Sequence, residues 1–264
     1  MKEIPPKISI LTVCYNSAKT IIDTFTSVRE QNYGNIEYIV VDGGSTDGTL
    51  KLIENSDAVT KYVSEPDEGI YDAMNKGISM ATGDVIGLLN ADDFFDADDV
   101  LSEIARIFQN QTVDACYADL VYVQQQNTKK IVRYWQPGAF RPGAFKRGWM
   151  PPHPTFFCRK SVYQQYGDFD LRYKIAADVE LLFRFLEQSE VNAVYLPRII
   201  TRMRLGGTTN QSVSNMKAQN REVLAFLDAH YGRVSRFVFF MGKFVDRTIQ
   251  FIRRPKLIKN VSIH

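Results

Sequence analysis

The sequence predicts an α/β protein built around a central mixed, mostly parallel β-sheet. Short apolar runs alternate with helical patterns through the first hundred residues, an order that implies parallel strands joined by crossover helices. Polar loops follow three of these runs, and sheets of this class bind ligands beyond the carboxyl ends of their strands. The composition agrees, because 45% hydrophobic and 23% charged residues in a chain of 264 are typical of a globular protein. Disordered and collagen-like chains are excluded.

The elements of the first half follow from apolar periodicity and from turn residues. Strands are predicted at 7–14, 36–41, 60–64 and 85–89. Helices are predicted from Ser17, as the N-cap, to Gln31, around Leu50, over 71–80 and over 99–108. Acidic residues crowd the start of the last helix, where negative charge is favourable.

The second half is less regular. Strands are predicted at 115–123, 131–135 and 155–159, and helices at 178–187 and 213–229. Residues 137–154 form a loop rich in proline and glycine, and a loop of this length in a compact domain is usually functional.

The formal charge of +2 conceals an uneven distribution. Eight basic residues and one acidic residue follow His230, whereas 24 basic and 29 acidic residues stand before it. Beyond His230 an apolar helical stripe faces a basic one. The apolar stripe comprises Val234, Phe237, Val238, Met241, Val245, Ile249 and Ile252, and the basic one Arg236, Lys243, Arg247 and Arg254. We therefore expect a domain over 1–230 and a basic amphipathic segment over 231–264 that binds a membrane surface; packing on the domain and a homodimer contact are the alternatives.

The cysteines and the N-terminus indicate a cellular compartment. Three cysteines, at positions 14, 116 and 158, cannot all pair within the chain and fit a reducing environment. The N-terminus lacks a secretory signal, and no segment approaches the roughly 18 apolar residues of a membrane span. The small net charge argues against a nucleic-acid partner. We expect a cytoplasmic protein on the inner face of the cell membrane.

The loop after the second strand runs from Asp42 to Asp47 (DGGSTD). Its glycines permit close backbone approach, and Thr46 or Asp47 is placed to cap the next helix. An acid directly after a parallel strand is also placed to accept hydrogen bonds from a nucleotide base or ribose. The spacing matches neither GxxxxGK[ST] nor GxGxxG, which disfavours ATP and NAD as ligands.

The loop after the fourth strand is Asn90-Ala91-Asp92-Asp93. Carboxylate and amide oxygens suit hard cations such as Mg²⁺ or Mn²⁺, which bridge phosphate oxygens. Helix capping is the structural alternative. A zinc site is disfavoured, because the chain has three histidines and no HExxH motif.

These strings carry a family resemblance. ISILTVCYN, EYIVVDGGSTDGT and GDVIGLLNADD, in this order and spacing, resemble the family 2 glycosyltransferases, inverting enzymes of the GT-A fold, over residues 6–210. The string EPDEGIYDAMNKGISMATGDVIGLLNADD resembles a bacterial subgroup that acts in polysaccharide and O-antigen assembly.

The resemblance implies a nucleotide-sugar site at the strand ends. Asn90-Ala91-Asp92 matches the DxD motif of the family, with asparagine at the first position, so Asp92 is the residue expected on Mg²⁺ or Mn²⁺. Asp42 is expected on the base. The residues expected to contact the donor are Thr12, Tyr15, Asn16, Asp42, Gly43, Lys76, Asn90, Ala91 and Asp92.

The resemblance also implies a catalytic base that opens a helix. In IAADVELLF, Ala177 replaces the glutamate of the family motif and Asp178 aligns as the base. Glu180 is the rival, about 200° further around the helix. Helix capping is the structural alternative for Asp178.

Three further residues fall in segments that line the site of the family. His153, in PHPTFF, is expected near the donor or acceptor sugar, although a lone histidine is more often structural. Arg204 precedes a segment that closes over the donor diphosphate, with solvated surface as the alternative. Trp149 either stacks on a sugar ring or packs in the domain.

The sequence therefore predicts a metal-dependent, inverting transferase. It would move a hexose from UDP-glucose or UDP-galactose to a lipid-linked sugar in bacterial surface polysaccharide synthesis. A GDP-sugar such as GDP-fucose is an alternative donor, and a non-catalytic domain that binds glycan or membrane is an alternative function. Nucleotidyl transfer would need a glycine-rich phosphate loop, which ILTVCYNS lacks.

Overall fold

A computed structural model describes residues 5–206, 213–253 and 255. The strands within these ranges are β1 (Ile8–Cys14), β2 (Ile36–Asp42), β3 (Lys61–Ser64), β4 (Val85–Leu88), β5 (Phe94–Phe95), β6 (Ala115–Val123), β7 (Ile131–Trp135), β8 (Phe157–Arg159) and β9 (Ala193–Arg204). The α-helices are α1 (Ile21–Arg29), α2 (Thr49–Glu54), α3 (Ile70–Met80), α4 (Val100–Phe108), α5 (Lys160–Tyr166), α6 (Ala177–Phe183), α7 (Val213–Tyr231) and α8 (Arg236–Ile252). Short 3₁₀ turns occupy Ala144–Arg147 and His153–Thr155.

The described strands form one mixed sheet with helices on its faces, as the α/β prediction requires. Its order is β3-β2-β1-β4-β8-β6-β9-β5, and β7 pairs with β6 beside this path. Strands β3, β2, β1 and β4 are all parallel, whereas β8 is antiparallel to both β4 and β6. The parallel half carries the strand-helix repeat that the sequence predicted.

Register brings three polar loops to one edge of the sheet. Cys14 at the end of β1 lies opposite Asp42 at the end of β2, and Leu11 lies opposite Leu88 of β4. Helix α3 covers this part of the sheet closely, since a Cβ on Gly77 would lie 3.4 Å from Leu11. Parallel pairing therefore places the loops that follow β1, β2 and β4 side by side.

Helix α1 begins at Ile21, four residues later than predicted. The N–H of Ser17 donates to Thr49 Oγ1 at 2.8 Å, and that of Ala18 donates to Asp47 Oδ2 at 3.1 Å. These bonds hold the chain after β1 against the loop after β2. The sequence predicted an N-cap at Ser17, whereas tertiary hydrogen bonds delay the helix.

Strand β9 and helix α5 were absent from the sequence prediction. Strand β9 runs parallel to β6 and contains Arg198, Arg202 and Arg204, charges that conceal its strand pattern. Arg198 pairs with Asp99, and Arg202 pairs with Asp96 at 2.6 Å. The acidic residues at the start of α4 therefore bind arginines of β9 instead of capping the helix.

Helix α8 packs on the domain through one face. Phe239 and Gln250 are buried, a Cβ on Gly242 would overlap the carbonyl oxygen of Arg147, and Lys243 Nζ donates to Asn220 Oδ1 at 2.6 Å. Lys243, predicted on the basic stripe, is instead half-buried against the domain, and this burial lowers its pKa to about 8. The predicted basic residues Arg254, Lys256 and Lys259 lie outside the described residues.

The opposite face of α8 is apolar and exposed. Its exposed apolar residues are Phe237, Val238, Phe240, Met241, Phe244, Val245, Phe251 and Ile252. Among the described residues no helix combines the length and apolar character that crossing a membrane demands. The packing alternative is thus correct for one face of α8, and the apolar side chains of the other face are exposed in the described structure.

Candidate active site

Asp42 lies at the end of β2 and organises the loop that follows. Its fully buried carboxylate accepts hydrogen bonds from Ser45 N at 3.0 Å, Ser64 Oγ at 2.6 Å and the Ser45 hydroxyl. The thiol of Cys14 lies 3.5 Å from Asp42 Oδ1, and burial raises the pKa of that thiol. The sequence placed Asp42 on the nucleotide base. That contact stays a prediction, and in this structure the carboxylate has no exposed surface and its oxygens accept hydrogen bonds from the protein.

Thr12 and Asn16 also support the loops. Thr12 is fully buried, and its hydroxyl lies 2.9 Å from Tyr38 Oη and 2.7 Å from the carbonyl oxygen of Leu89. The expected nucleoside contact of Thr12 stays a prediction, and in this structure its hydroxyl ties β1 to the chain after β4. Asn16, at a positive φ of 50°, accepts from Thr46 N at 2.9 Å through Oδ1 and joins the loops after β1 and β2.

An accessible aromatic ring and a carboxylate remain at this edge of the sheet. Tyr15 is 63% exposed and lies beside Gly43. A Cβ on Gly43 would overlap Asp67 Oδ2, so glycine leaves room for that carboxylate. Asp67 was not among the sequence candidates. The signal was present, because Asp67 follows β3 just as the candidate loops follow the other parallel strands.

Lys76 holds the loop that contains Asp67. Its ammonium group pairs with Glu65 at 2.9 Å and Asp72 at 3.3 Å, and it donates to the carbonyl oxygen of Pro66 at 3.2 Å. The bond to Glu65, followed by that to Asp72, raises the pKa of Lys76. The predicted donor lysine is thus engaged with two carboxylates beside the donor loops.

The loop after β4 contains two carboxylates with different roles. Asp93 is fully buried and accepts from Asn90 Nδ2 at 2.9 Å and from Arg204 N at 3.2 Å. Burial raises the pKa of Asp93 well above its usual range, and the charge of Asp92 adds to the rise. Asp92 is partly exposed, and no lysine or arginine of the described residues forms an ion pair with its carboxylate. Ala91, between Asn90 and Asp92, is buried.

Arg204 braces this loop from β9. Its side chain is buried; Nη1 donates to the carbonyl oxygen of Asp92 at 2.6 Å, and Nη2 pairs with Asp23. The guanidinium group lies 5.0 Å from the centre of the Phe94 ring. The solvated-surface alternative is wrong for Arg204, because its side chain is buried at the end of β9, and its expected contact with the donor stays a prediction. Residues 207–210 of the predicted closing loop lie outside the described residues.

A metal at this loop would find an incomplete set of protein ligands. The described residues contain no cluster of three or more histidine, cysteine or acidic side chains that suits a metal ion. Mg²⁺, however, is commonly held by one or two carboxylates together with substrate phosphates and water. The unpaired carboxylate of Asp92 and the Oδ1 of Asn90 fit that chemistry.

Asp178 lies in the first turn of α6 between two hydrogen-bonding side chains. Tyr71 Oη lies 3.0 Å from Asp178 Oδ1, and His153 Nδ1 lies 3.2 Å from Asp178 Oδ2. Asp178 is 16% exposed, and the N-cap position is taken by Ala176 without a side-chain bond. Burial lowers the pKa of His153, which favours the neutral ring. The capping alternative is therefore wrong, and two sequence candidates are brought into contact.

Helices α3 and α7 position this group. Tyr71 stacks on Phe169 with ring centres 5.5 Å apart, and Asn75 exchanges two 2.9 Å hydrogen bonds with the backbone of Phe169. Glu222 of α7 accepts from the backbone N–H groups of residues 174–176, at 3.0 to 3.2 Å, and so satisfies the start of α6. Sequence analysis missed Tyr71 and Glu222. The spacing of Tyr71 and Asn75, four residues apart in one helix, was an available signal.

The other two candidate side chains form contacts within the domain. Glu180, the rival base, is buried and pairs with Arg184 at 2.9 Å, which leaves Asp178 as the carboxylate free of a lysine or arginine partner in this part of α6. Trp149 donates to the carbonyl oxygen of Pro137 at 2.8 Å and packs against Phe140 and Phe145.

Sequence comparison finds glycosyltransferases. The profile described as Glycosyl transferase family 2 matches residues 9–167. An uncharacterized glycosyltransferase of Mycobacterium tuberculosis is 33% identical over 182 residues, which cover 68% of each chain. A protein of Mycobacterium bovis named PGL/p-HBAD biosynthesis glycosyltransferase is 29% identical over 216 residues, which cover 79% of this chain and 81% of that protein.

Solved structures share the fold. A mannosyltransferase from Pyrobaculum calidifontis, in complex with GDP-Man and Mn²⁺, superposes with a TM-score of 0.64 at 17% identity over 92% of this chain and 70% of that one. Residues 1–349 of S. aureus TarS, in complex with UDP, give a TM-score of 0.59 at 18% identity over 85% of this chain and 72% of that one. The present chain spans 44% of a longer TarS structure.

Proposed function

The chain belongs to glycosyl transferase family 2, and from this premise we propose that it is an inverting hexosyltransferase that uses a uridine diphosphate sugar and a lipid-linked saccharide. The observation that carries the proposal is the environment of Asp178. This carboxylate is partly accessible, oriented by Tyr71 and His153, and free of a lysine or arginine partner among the described residues. A general base needs this combination of access and a fixed orientation.

Asp178 would act as the base for the acceptor hydroxyl. The hydroxyl oxygen forms a bond to the anomeric carbon while the bond from that carbon to the diphosphate breaks on the opposite face. The proton of the hydroxyl moves to the Asp178 carboxylate, and the electron pair of the broken bond leaves with the nucleoside diphosphate. One such displacement inverts the anomeric centre. Tyr71 and a neutral His153 hold the carboxylate in place.

The leaving diphosphate belongs at the loop after β4. Asp92, with Asn90 beside it, would hold Mg²⁺ or Mn²⁺ there, and the ion, when bound, stabilises the charge that develops on the diphosphate. Asp93 and Arg204 keep the backbone of this loop in position through the bonds to Asn90 and to the Asp92 carbonyl. Support for a metal comes also from the Pyrobaculum enzyme, whose complex contains Mn²⁺.

The nucleoside would lie at the ends of β1 to β3. Tyr15 offers an exposed ring for stacking, and Asp67 offers a carboxylate beside Gly43 for hydrogen bonds to a base or ribose. The UDP complex of TarS supports uridine, and we propose UDP-glucose or UDP-galactose as the donor. GDP-Man in the Pyrobaculum enzyme supports a GDP-sugar as the second candidate, GDP-fucose included.

The acceptor would be carried by a lipid at a membrane surface. Support comes from the exposed apolar face of α8 and from the basic residues that flank it, among them Arg236 and Arg247. The protein would then be peripheral on the inner face of a bacterial membrane and act in surface polysaccharide synthesis. A homodimer through the same apolar face remains the alternative for α8.

A donor and variant screen tests the proposal. UDP-glucose, UDP-galactose and GDP-fucose are each supplied with Mg²⁺ or Mn²⁺ and a lipid-linked saccharide, and release of the nucleoside diphosphate is measured. We expect Asp178→Asn to lower kcat by about 10²-fold or more while UDP still binds, because the base is lost and the donor loops are not. Asp92→Ala should abolish the response to metal.

Asp98→Asn is the matched control, because Asp98 is exposed and belongs to neither the proposed base site nor the proposed metal site. Its turnover should equal that of the wild type. Undiminished turnover in both Asp178→Asn and Asp92→Ala would falsify the proposed mechanism. Calorimetry that finds no metal-dependent UDP binding would favour a non-catalytic domain.

A further inference from the structure

A second cavity lies apart from the strand-end loops. It has a volume of about 1130 Å³ and is bounded by α8 on one side and by the segment 137–149 on the other. Its described lining includes a cationic part and an apolar part, with Asp246 as its one acidic residue, and it contains no residue of the proposed donor site.

The cationic part carries Arg141, Lys146, Arg147 and Arg233. All four are exposed, and among the described residues none of them forms an ion pair with a carboxylate. Lys146 Nζ lies 4.5 Å from the centre of the Tyr231 ring. Elsewhere Arg184, Arg198, Arg202 and Arg204 all pair with acidic side chains. Guanidinium groups that converge on a cavity without a protein partner have the chemistry that binds phosphate.

The apolar part is supplied by α8. Phe237, Val238, Met241 and Val245 line the cavity, and all four are at least 43% exposed. The same surface continues along the outer face of the helix through Phe240 and Phe244. An exposed apolar patch of this kind marks a binding surface for hydrocarbon or for a partner.

We propose that this cavity binds the phosphate group of the acceptor's lipid carrier together with the first part of its hydrocarbon chain. The proposal rests on the lipid-linked acceptor of the proposed function and assigns that acceptor a place on the protein. A free phosphate ion would leave the apolar wall unused. A general membrane surface would not require cations gathered around a cavity. Only a phosphate attached to hydrocarbon matches both walls.

Two segments that border the cavity, α8 and the chain that follows Trp149, also approach the candidate base. Trp149 lines it, and the chain reaches His153 four residues later. On α8, the ammonium group of Lys243 is close enough to Asp178 for that carboxylate to act on it electrostatically. An acceptor held by its carrier phosphate beside α8 therefore has its saccharide on the side of the domain that holds Asp178.

Binding of a simple amphiphile tests the cavity directly. Dodecyl phosphate, kept below its micelle concentration, is titrated into the full chain by calorimetry, with inorganic phosphate and dodecyl maltoside as the comparison ligands. We expect saturable binding of one dodecyl phosphate per chain. Each comparison ligand should bind more weakly by about tenfold or more, because inorganic phosphate lacks the hydrocarbon chain and dodecyl maltoside lacks the phosphate. Equal binding of dodecyl phosphate and dodecyl maltoside would overturn the phosphate assignment.

Variants separate the two walls. In the double variant Arg141→Gln/Arg147→Gln, the affinity for dodecyl phosphate should fall by about tenfold or more. Met241→Gln should also lower the affinity for dodecyl phosphate but should leave the affinity for inorganic phosphate unchanged. Arg106→Gln, an exposed arginine of α4, is the matched control and should bind like the wild type. Unchanged binding in the double variant would overturn the proposal, as would uptake only by phosphatidylglycerol vesicles without a saturable single site.

Kinetics distinguish failure of this site from failure of the proposed function. In the double variant the KM for a lipid-linked acceptor should rise by about tenfold or more with little change in kcat, and UDP should bind as to the wild type. Absence of UDP binding in the wild type would contradict the proposed function, and the amphiphile titration would still decide the cavity. A lowered kcat with an unchanged KM would contradict a carrier site.

Discussion

His153 contacts the carboxylate proposed as the base, and its ring must stay uncharged to leave that carboxylate free. The ring nitrogen Nδ1 lies 3.2 Å from Asp178 Oδ2, and burial lowers the pKa of His153 although the charge of Asp178 opposes this. The neutral ring lies against the Asp178 carboxylate, which accepts its hydrogen bond from Tyr71 Oη at 3.0 Å. A charged ring would form an ion pair with the Asp178 carboxylate and so disfavour transfer of the acceptor proton to that carboxylate.

The lowered pKa of His153 predicts a dependence of stability on pH. In the unfolded chain this histidine titrates near its ordinary value of about 6.5, whereas the folded protein resists protonation. Below that pH the unfolded state binds more protons, so the free energy of unfolding falls as the pH falls. His153→Asn keeps an N–H donor near Nδ1 and cannot titrate, so its stability should fall less between about pH 6.5 and 5. Urea unfolding across this range measures the difference.

His230→Asn is the matched control for this experiment. His230 is exposed on α7, so its replacement should leave the pH dependence of the wild type in place. Parallel stability curves for the wild type and His153→Asn would contradict the role assigned to the partly buried His153 ring.

At the scale of the element, α8 depends on one glycine. Gly242 lies where α8 crosses the 3₁₀ turn Ala144–Arg147, and a Cβ there would overlap the carbonyl oxygen of Arg147. On the other side of the contact, a Cβ on Gly148 would lie 2.8 Å from the carbonyl oxygen of Phe239. Two backbones therefore approach each other at a point where neither tolerates a side chain.

Gly242→Ala should detach α8 or strain its contact. Alanine favours a helix by about 1 kcal/mol over glycine, but overlap with a backbone oxygen costs about 1–3 kcal/mol and moves the helix as a whole. We expect faster hydrogen exchange across α8 and lower stability. Thr248→Ala, at an exposed site of the same helix, should leave both unchanged. A Gly242→Ala protein with the exchange rates of the wild type would show that α8 is not held at this contact.

At the scale of the whole molecule, charge and apolar surface are distributed unevenly. The part of the chain up to His230 has 24 basic and 29 acidic residues, and the part beyond it has eight basic and one acidic residue. Acidic side chains hold the donor-side loops together, as Asp42 and Asp93 do, whereas the basic segment carries the exposed phenylalanines of α8. The near-neutral total therefore arises from two surfaces of opposite character.

This distribution predicts binding to anionic membranes. The wild type should sediment with phosphatidylglycerol vesicles more strongly than with phosphatidylcholine vesicles, since each basic residue near an anionic surface contributes about 1 kcal/mol. Salt should weaken the binding by screening. Phe237→Ser/Phe244→Ser should abolish most of it, because these side chains are 75% and 67% exposed. Ile22→Ser, which alters an apolar side chain that is 51% exposed on α1, is the matched control.

A dimer would give a different result. If α8 buries its apolar face against a second copy, light scattering would report a mass twice that of the chain, and the double serine variant would become monomeric. Vesicle binding that persists in the double variant would contradict the membrane role of this face.

The parallel half of the fold was predictable because its information is local. Apolar runs such as Ile36–Asp42 and Val85–Leu88 are buried as predicted, and polar loops follow them. Strand β9 was not predictable in this way. Its arginines are satisfied by Asp96 and Asp99, about a hundred residues away in the chain, so no local pattern reveals that the strand is half-buried.

The candidate site shows the same contrast between local sequence information and tertiary contacts. Motif spacing identified Asp92 and Asp178 as the carboxylates to examine, and both remain free of lysine and arginine partners among the described residues. It did not show that Asp42, Asp93 and Glu180, which have the same acidic side chains, are hydrogen-bonded or paired within the fold. That distinction depends on burial and hydrogen-bond partners, which only packing supplies.

By itself, the sequence determined the α/β class, the family and the strand ends at which a donor would bind. These follow from periodicity and from residue types at fixed spacings, and both are properties of neighbouring residues. The tertiary structure alone decided which carboxylates are accessible, that Tyr71 and His153 meet Asp178, and that α8 turns its apolar face outward. The physical reason is that exposure and hydrogen bonding join residues distant in the chain, and burial then gives identical side chains different chemistry.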